Sequence, residues 1–256
     1  MLQISTSGTS ANTRFEQLES ERGGNMAWIE AALKGDALRG EGDTLLLLLG
    51  ARDLYGFRLR VAQAHARSDL LSSDWSHVAL LSQPAGEIGA AELVEVSLSP
   101  PRGFGWPVPT NGVQRTPLKR YGSARAYPNI ALVRLPLEWR AVTERLALFQ
   151  QERRTLDVNH AVLVWLGFVW GAGGTANPLL QGVGIPSAAM VEAVVGAAGY
   201  ELTPGIESAA SCPEAIWQTC RWWHRYYEDA GDRPAPCGYW LRRQSIEDEL
   251  KFVPVS

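Results

Sequence analysis

Five consecutive leucines at positions 45–49 stand between Asp43-Thr44 and Gly50. A short apolar run bounded by turn residues is typical of a strand that is buried on both faces. Further strand patterns cover residues 77–81, 92–98, 113–118 and 130–135, and helical spacing marks 26–38, 55–71, 137–149, 158–170, 188–198 and 213–227. These patterns predict one α+β domain over residues 26–256, in which a small antiparallel sheet packs against helices.

The composition fits a chain that folds around its own core. Hydrophobic residues make up 46% of the 256 positions, and a chain of this length needs neither metal nor disulfide staples. Lys and Arg number 24 against 27 Asp and Glu, a net charge of −3, which gives no electrostatic reason to expect nucleic-acid binding. No apolar stretch reaches the roughly 20 residues of a transmembrane helix. We therefore expect no nucleic-acid partner, no stable membrane span, no metal and no other cofactor.

The two ends of the chain differ in composition. Residues 1–25 are polar and rich in Ser, Thr and Gly, which predicts a flexible N-terminal arm or one loosely docked helix. This segment has no basic region followed by an apolar one, so we expect a protein that is cytoplasmic where it is made. Cys212, Cys220 and Cys237 all lie in the last fifth of the chain. Three cysteines without a CxxC pair predict neither a disulfide framework nor a zinc site.

Candidate chemistry starts at His77, which follows a Ser/Asp loop and opens a strand. This position is both fixed and open to solvent, as a general base requires. Glu95 lies on the next predicted strand, and if the two strands are neighbours it lies beside His77 and orients the imidazole. The alternatives are a histidine that caps a strand and a glutamate that faces solvent.

A third candidate is Ser187, which follows the connector Gly184-Ile185-Pro186 and precedes a helix rich in small residues. The dipole of a helix N-terminus favours an anionic nucleophile, and free backbone N–H groups there stabilise an oxyanion. The alternative is structural, because serine is a preferred N-cap residue.

Taken in order, these segments resemble the circularly permuted papain-like hydrolases of the NlpC superfamily, a group that includes lecithin–retinol acyltransferase-like proteins. The family has a Gly-Asp before a hydrophobic strand, a Ser-His at a second strand, a Val-Glu on a third and then a Cys that opens a helix. The matching residues here are Gly42-Asp43, Ser76-His77, Val94-Glu95 and Ser187. The resemblance covers about residues 40–218 and implies a permuted papain-like (NlpC-type) core with Ser187, His77 and Glu95 as the catalytic residues.

Serine at position 187 departs from the family pattern, and a hydroxyl is a far weaker nucleophile than a thiol paired with histidine. Three explanations remain open: serine replaces a natural cysteine and disables the enzyme, serine is the natural nucleophile, or the chain is a pseudoenzyme kept for binding. The intact His77 and Glu95 favour the first.

The resemblance implies a thiol-type hydrolase that cleaves an amide or ester in peptidoglycan peptides, lipids or protein side chains. Trp75, with Phe104 and Trp106 in a Pro-rich loop, is a candidate for substrate binding. An antibacterial effector, exported without a signal peptide and accompanied by an immunity or chaperone protein, would fit these features. The rival hypotheses are a catalytically dead binding module and an acyltransferase that uses the same residues.

Overall fold

The computed structural model describes residues 15–19, 23–38, 42–84, 86–99, 108–151, 157–171, 174–230 and 235–245. Within these ranges the chain forms seven strands: β1 Phe15–Gln17, β2 Thr44–Gly50, β3 His77–Ser82, β4 Glu92–Glu95, β5 Gln114–Pro117, β6 Asn129–Leu135 and β7 Cys237–Arg242. The six helices are α1 Asn25–Lys34, α2 Leu54–Ala62, α3 Trp139–Gln151, α4 Val158–Trp170, α5 Pro186–Ala197 and α6 Pro213–Ala230. The α+β class predicted from the sequence is therefore present.

The strands form one sheet in the order β1-β7-β6-β2-β3-β4-β5. All neighbouring strands are antiparallel except β1 and β7, which are parallel. The sheet is thus larger than predicted and mixed. The sequence patterns assigned no element to β7, and β1 falls inside the predicted N-terminal arm. Of that arm, residues 1–14 and 20–22 lie outside the described residues.

The leucine run explains why the fold has layers on both sides of the sheet. All five leucines of β2 are fully buried, as predicted. Because side chains alternate along a strand, Leu46 and Leu48 face a large core to which α3, α4, α5 and α6 contribute. The other three leucines face a smaller core, the α1 core, which contains Trp28 and Ile29.

Helix α5 packs against β3 and β4 on the large-core side of the sheet. Met190, Val191 and Val194 supply its buried face. Burial of three such side chains is worth several kcal/mol in all, so the helix is held firmly against the strands. In the part of the chain that the structure describes, no helix has both the length and the apolarity needed to cross a bilayer.

Candidate active site

His77 opens β3 directly after the loop that joins α2 to this strand. The preceding residue fixes the strand start, because Ser76 Oγ donates to the Leu49 carbonyl (3.2 Å) and accepts from the Ala51 N–H (2.9 Å). The His77 ring is 14% exposed, and its Nε2 lies 2.7 Å from Glu95 Oε2. The other ring nitrogen, Nδ1, has no hydrogen-bond partner among the described residues.

Glu95 is fully buried at the end of β4 and is surrounded by donors. Its Oε1 accepts from Thr116 Oγ1 (2.6 Å) and Gln114 Nε2 (3.2 Å), and its Oε2 accepts from the Tyr121 hydroxyl (2.7 Å) as well as facing His77. Burial alone would raise the pKa of Glu95, but His77 and these hydroxyl donors lower the pKa to about 2. The carboxylate is therefore ionised at neutral pH and held in one place.

Tyr121 supports both members of this pair. Its hydroxyl binds Glu95, and its ring stacks on the His77 ring at a centroid distance of 5.9 Å and an interplanar angle of 25°. Burial and the neighbouring Glu95 charge raise the pKa of Tyr121 well above its usual value, so the hydroxyl stays a donor. The sequence reasoning missed Tyr121, Thr116 and Gln114. The pattern of β5 could have identified Thr116 as inward-facing, but only the register with β4 places it at Glu95.

Ser187 is the second residue of α5, and its side chain is buried. The N-cap position belongs to Ile185, which makes no side-chain cap, so the explanation of Ser187 as an N-cap is wrong. Neither its Oγ nor its backbone N–H has a hydrogen-bond partner among the described residues. A buried hydroxyl without a partner carries a free-energy cost of about 1–3 kcal/mol, which a stable fold ordinarily avoids.

The connector before α5 is fixed by main-chain hydrogen bonds. Gly184 N–H donates to the Ala209 carbonyl (2.6 Å), and Ile185 N–H donates to the Ser211 carbonyl (2.9 Å). Trp165 Nε1 donates to the Gly184 carbonyl at 2.7 Å. A Cβ at position 184 would lie only 2.5 Å from the Ser211 oxygen, so this close approach requires glycine. The N-terminus of α5 is consequently held in place from two sides.

Ser187 and His77 line the same pocket, which has a volume of about 550 Å³ including its open mouth. The two residues lie in different layers. Ser187 belongs to α5, which packs in the large core, whereas His77 stacks on Tyr121, a residue of the α1 core. The pocket thus lies where the two layers meet at the ends of β3 and β4. The arrangement brings an unpartnered hydroxyl and an unpartnered imidazole nitrogen into one cleft.

None of the three predicted substrate-binding residues is among the described residues that line the pocket. Trp75 is buried in the large core, where its ring packs edge-on against Trp217 at 5.0 Å, and it does not line the pocket. Trp75 is therefore a core residue with almost no surface left for contact with a ligand. Phe104 and Trp106 lie outside the described residues.

No protein-family model, curated protein or solved structure matches this chain. The described residues also contain no group of three or more His, Cys, Asp or Glu side chains placed to hold a metal ion. The chemistry of the site therefore has to be argued from its own geometry.

Proposed function

We propose that this protein is an acyl hydrolase of the permuted papain-like kind, which cleaves an amide or ester through residue 187, His77 and Glu95. One observation carries the proposal: the buried and unpartnered Ser187 Oγ, at the start of α5, opens on the pocket in which Glu95 holds the His77 ring. A nucleophile and a base that line one cleft, with a buried carboxylate behind the base to orient it, form the arrangement that acyl transfer needs.

The reaction follows from the placement of these groups. His77 Nδ1 takes the proton of the residue 187 side chain as that side chain attacks the carbonyl carbon. The oxyanion so formed accepts from the free backbone N–H of Ser187 at the start of α5. The bond to the leaving amine or alcohol then breaks, and His77 returns the proton to that group. Water, deprotonated by the same imidazole, hydrolyses the acyl-enzyme and regenerates residue 187.

Glu95 contributes by fixing the tautomer and orientation of the His77 ring. Because Glu95 Oε2 accepts a hydrogen bond from the Nε2–H of His77, Nδ1 is the ring nitrogen that can accept a proton in the pocket. The charge of the carboxylate stabilises the imidazolium that forms in each half-reaction. Peptide amides, lipid esters and protein side-chain amides all suit this chemistry, and transfer to an amine or alcohol instead of water uses the same residues.

The test uses the Ser187→Cys variant, in which a thiol reports directly on the cleft. The rate of alkylation by iodoacetamide is measured against pH, with and without His77→Ala. Burial raises the pKa of Cys212 and Cys237 to about 11 and raises that of Cys220 further, so the natural thiols contribute little signal below pH 9. Ser97→Cys is the matched control, because Ser97 lines the same pocket but is not at a helix start.

We expect the thiol at position 187 to react with a midpoint at least about two pH units below the ordinary cysteine value of ~8.5. We also expect His77→Ala to abolish that advantage, and the buried thiol at position 97 to react with a midpoint at or above the ordinary cysteine value. A thiol at position 187 that is indifferent to His77 would overturn the proposal.

A binding module is the second candidate, and one observation favours it. Ser187 Oγ makes no hydrogen bond to His77, although catalytic pairs often tighten only when substrate is bound. If the unmodified pocket binds a peptide or lipid ligand, and the Ser187→Cys variant has an ordinary thiol, binding without turnover becomes the function.

A further inference from the structure

A second depression adjoins the Ser187 pocket. It is lined by Arg52, Asp53, Ser123, Arg125 and Ala126 and has a volume of about 720 Å³ including open solvent. Asp53 also lines the Ser187 pocket, so the two cavities share a wall. A group that extends from the reacting centre past Asp53 therefore enters the second depression.

The backbone beneath this depression is rigid. The Arg52 N–H donates to the Ala126 carbonyl at 2.9 Å and so ties the loop after β2 to the loop before β6. Ser123 Oγ and its carbonyl accept from the N–H groups of Ala126 (3.3 Å) and Tyr127 (2.9 Å). The two arginines thus project from one fixed platform, although they belong to different loops.

The guanidinium groups of Arg52 and Arg125 have no ion pair or hydrogen bond with the described residues. Asp53 makes no ion pair with either arginine in the part of the chain that the structure describes, and its Oδ1 accepts from the Gly56 N–H at the start of α2 (2.8 Å). By contrast, Arg67 and Arg242 each lie beside an aspartate. With two arginines and one aspartate in its lining, the depression has a net charge of +1 in a chain of net charge −3, so it is a local site for anions.

We propose that the Ser187 pocket takes acyl substrates that carry an anionic group, a carboxylate or a phosphate, which Arg52 and Arg125 bind in the adjoining depression. The proposal rests on the proposed function, because it supplies the substrate class for that same reaction. A guanidinium binds planar carboxylates and phosphates through paired N–H donors. Two arginines on one platform can also fix the distance between the anionic group and the scissile bond, which a single surface charge does not do.

The experiment compares charged and neutral alkylating probes of equal length on the Ser187→Cys variant. The probes are N-iodoacetylglycine, 6-(iodoacetamido)hexanoate and 2-(iodoacetamido)ethylphosphonate; each carboxylate is paired with its primary amide, and the phosphonate is paired with its neutral dimethyl ester. The ratio of the anionic to the neutral rate is measured before and after the double substitution Arg52→Gln and Arg125→Gln. The control is Arg115→Gln with Arg140→Gln, two exposed positions outside both cavities that give the same change in net charge.

We expect at least one anionic probe to react about tenfold faster than its neutral partner, relative to free cysteine. The Arg52/Arg125 double substitution should remove this preference, and the control pair should preserve it. A preference for the carboxylate or for the phosphonate identifies which anion the site takes.

An anionic-to-neutral ratio that the Arg52/Arg125 substitutions leave unchanged would overturn the anion site. The reaction of the neutral probes separates this failure from that of the proposed function. If the neutral amides react at position 187 in a His77-dependent manner, the hydrolase proposal stands whatever the anionic probes do.

Discussion

The Tyr121 hydroxyl and His77 Nε2 meet the same carboxylate oxygen, Glu95 Oε2, each at 2.7 Å. The ring of Tyr121 also covers the His77 ring. One side chain therefore fixes the position of the base through contact with the base and through contact with the group that orients it. Thr116 and Gln114 hold the opposite oxygen, so the carboxylate cannot turn without the loss of several bonds.

Tyr121→Phe should preserve the stacking and remove only the bond to Glu95. We expect a loss of about 1–3 kcal/mol in unfolding free energy because a donor to a buried carboxylate disappears. In the Ser187→Cys background, the pH midpoint of alkylation should also move towards the ordinary thiol value. Tyr127→Phe is the control, since Tyr127 packs edge-on against Tyr121 but does not bind Glu95. A midpoint that Tyr121→Phe leaves in place would assign this residue a purely structural role.

Glu95 should make stability fall in acid. Its pKa is about 2 in the folded protein against an ordinary value of 4.5, so its contribution is complete above pH 4.5 and is lost as the pH falls towards 2. The shift corresponds to about 3 kcal/mol. Urea unfolding of the parent protein and of Glu95→Gln at several pH values between 2 and 6 measures this. The difference in unfolding free energy between the two proteins should shrink steadily as the pH falls. A difference that stays constant with pH would contradict this prediction.

Glu192 should behave in the opposite sense. Burial raises its pKa to about 7, although hydrogen bonds from Thr203 (2.7 Å) and Ser211 (3.4 Å) limit the shift. The neutral carboxyl stabilises the fold fully below pH 4.5, and this contribution of roughly 3 kcal/mol is lost as the pH rises through 7. Glu192→Gln should therefore unfold at higher urea than the parent at pH 8 but not at pH 4. The exposed Glu207→Gln should show no such crossover.

Gly184→Ala should damage the site through the backbone alone. The added Cβ meets the Ser211 carbonyl at 2.5 Å, so the connector has to move and Ser187 moves with it. We expect a cost of about 1–3 kcal/mol and slower alkylation in the Ser187→Cys background. Gly196→Ala, on the helix α5 that follows this connector, has open space around the new Cβ and should stabilise the protein by up to about 1 kcal/mol. Equal effects of the two substitutions would rule out the close approach as the cause.

The sequence predicted those features that depend on local pattern. Examples are the leucine run of β2 and the strand that starts at His77, because their apolar residues and the turn residues beside them can be read directly from the sequence. Glu95 lies beside His77 only because β4 pairs with β3. The sequence predicts this contact only on the condition that the two strands pair, because the strand patterns do not show which strands are neighbours.

Features set by tertiary contact were missed or wrong. Strand β7 was not predicted, and it is held by pairing with β6 on one side and β1 on the other. Trp75 suggested a substrate contact because of its place beside His77, yet packing against Trp217 buries it. Thr116 and Gln114 reach Glu95 because β5 pairs with β4, and Tyr121 reaches it from the turn after β5; the sequence patterns did not predict that pairing.

The parallel pairing of β1 with β7 has a consequence for the order of folding. Phe15 lies opposite Gly238, so β1, the first described strand in the chain, cannot pair until β7, the last described strand, has been synthesised. Until then β6 is the exposed rim of the nascent sheet, with Ile130 and Leu132 uncovered by the Tyr239 and Leu241 side chains that later join them in the α1 core. Synthesis therefore passes through a stage in which β6 is an unpaired edge strand that can associate with other chains. Strand β7, and with it the β1 pairing, can close that edge only after the other described strands have been synthesised.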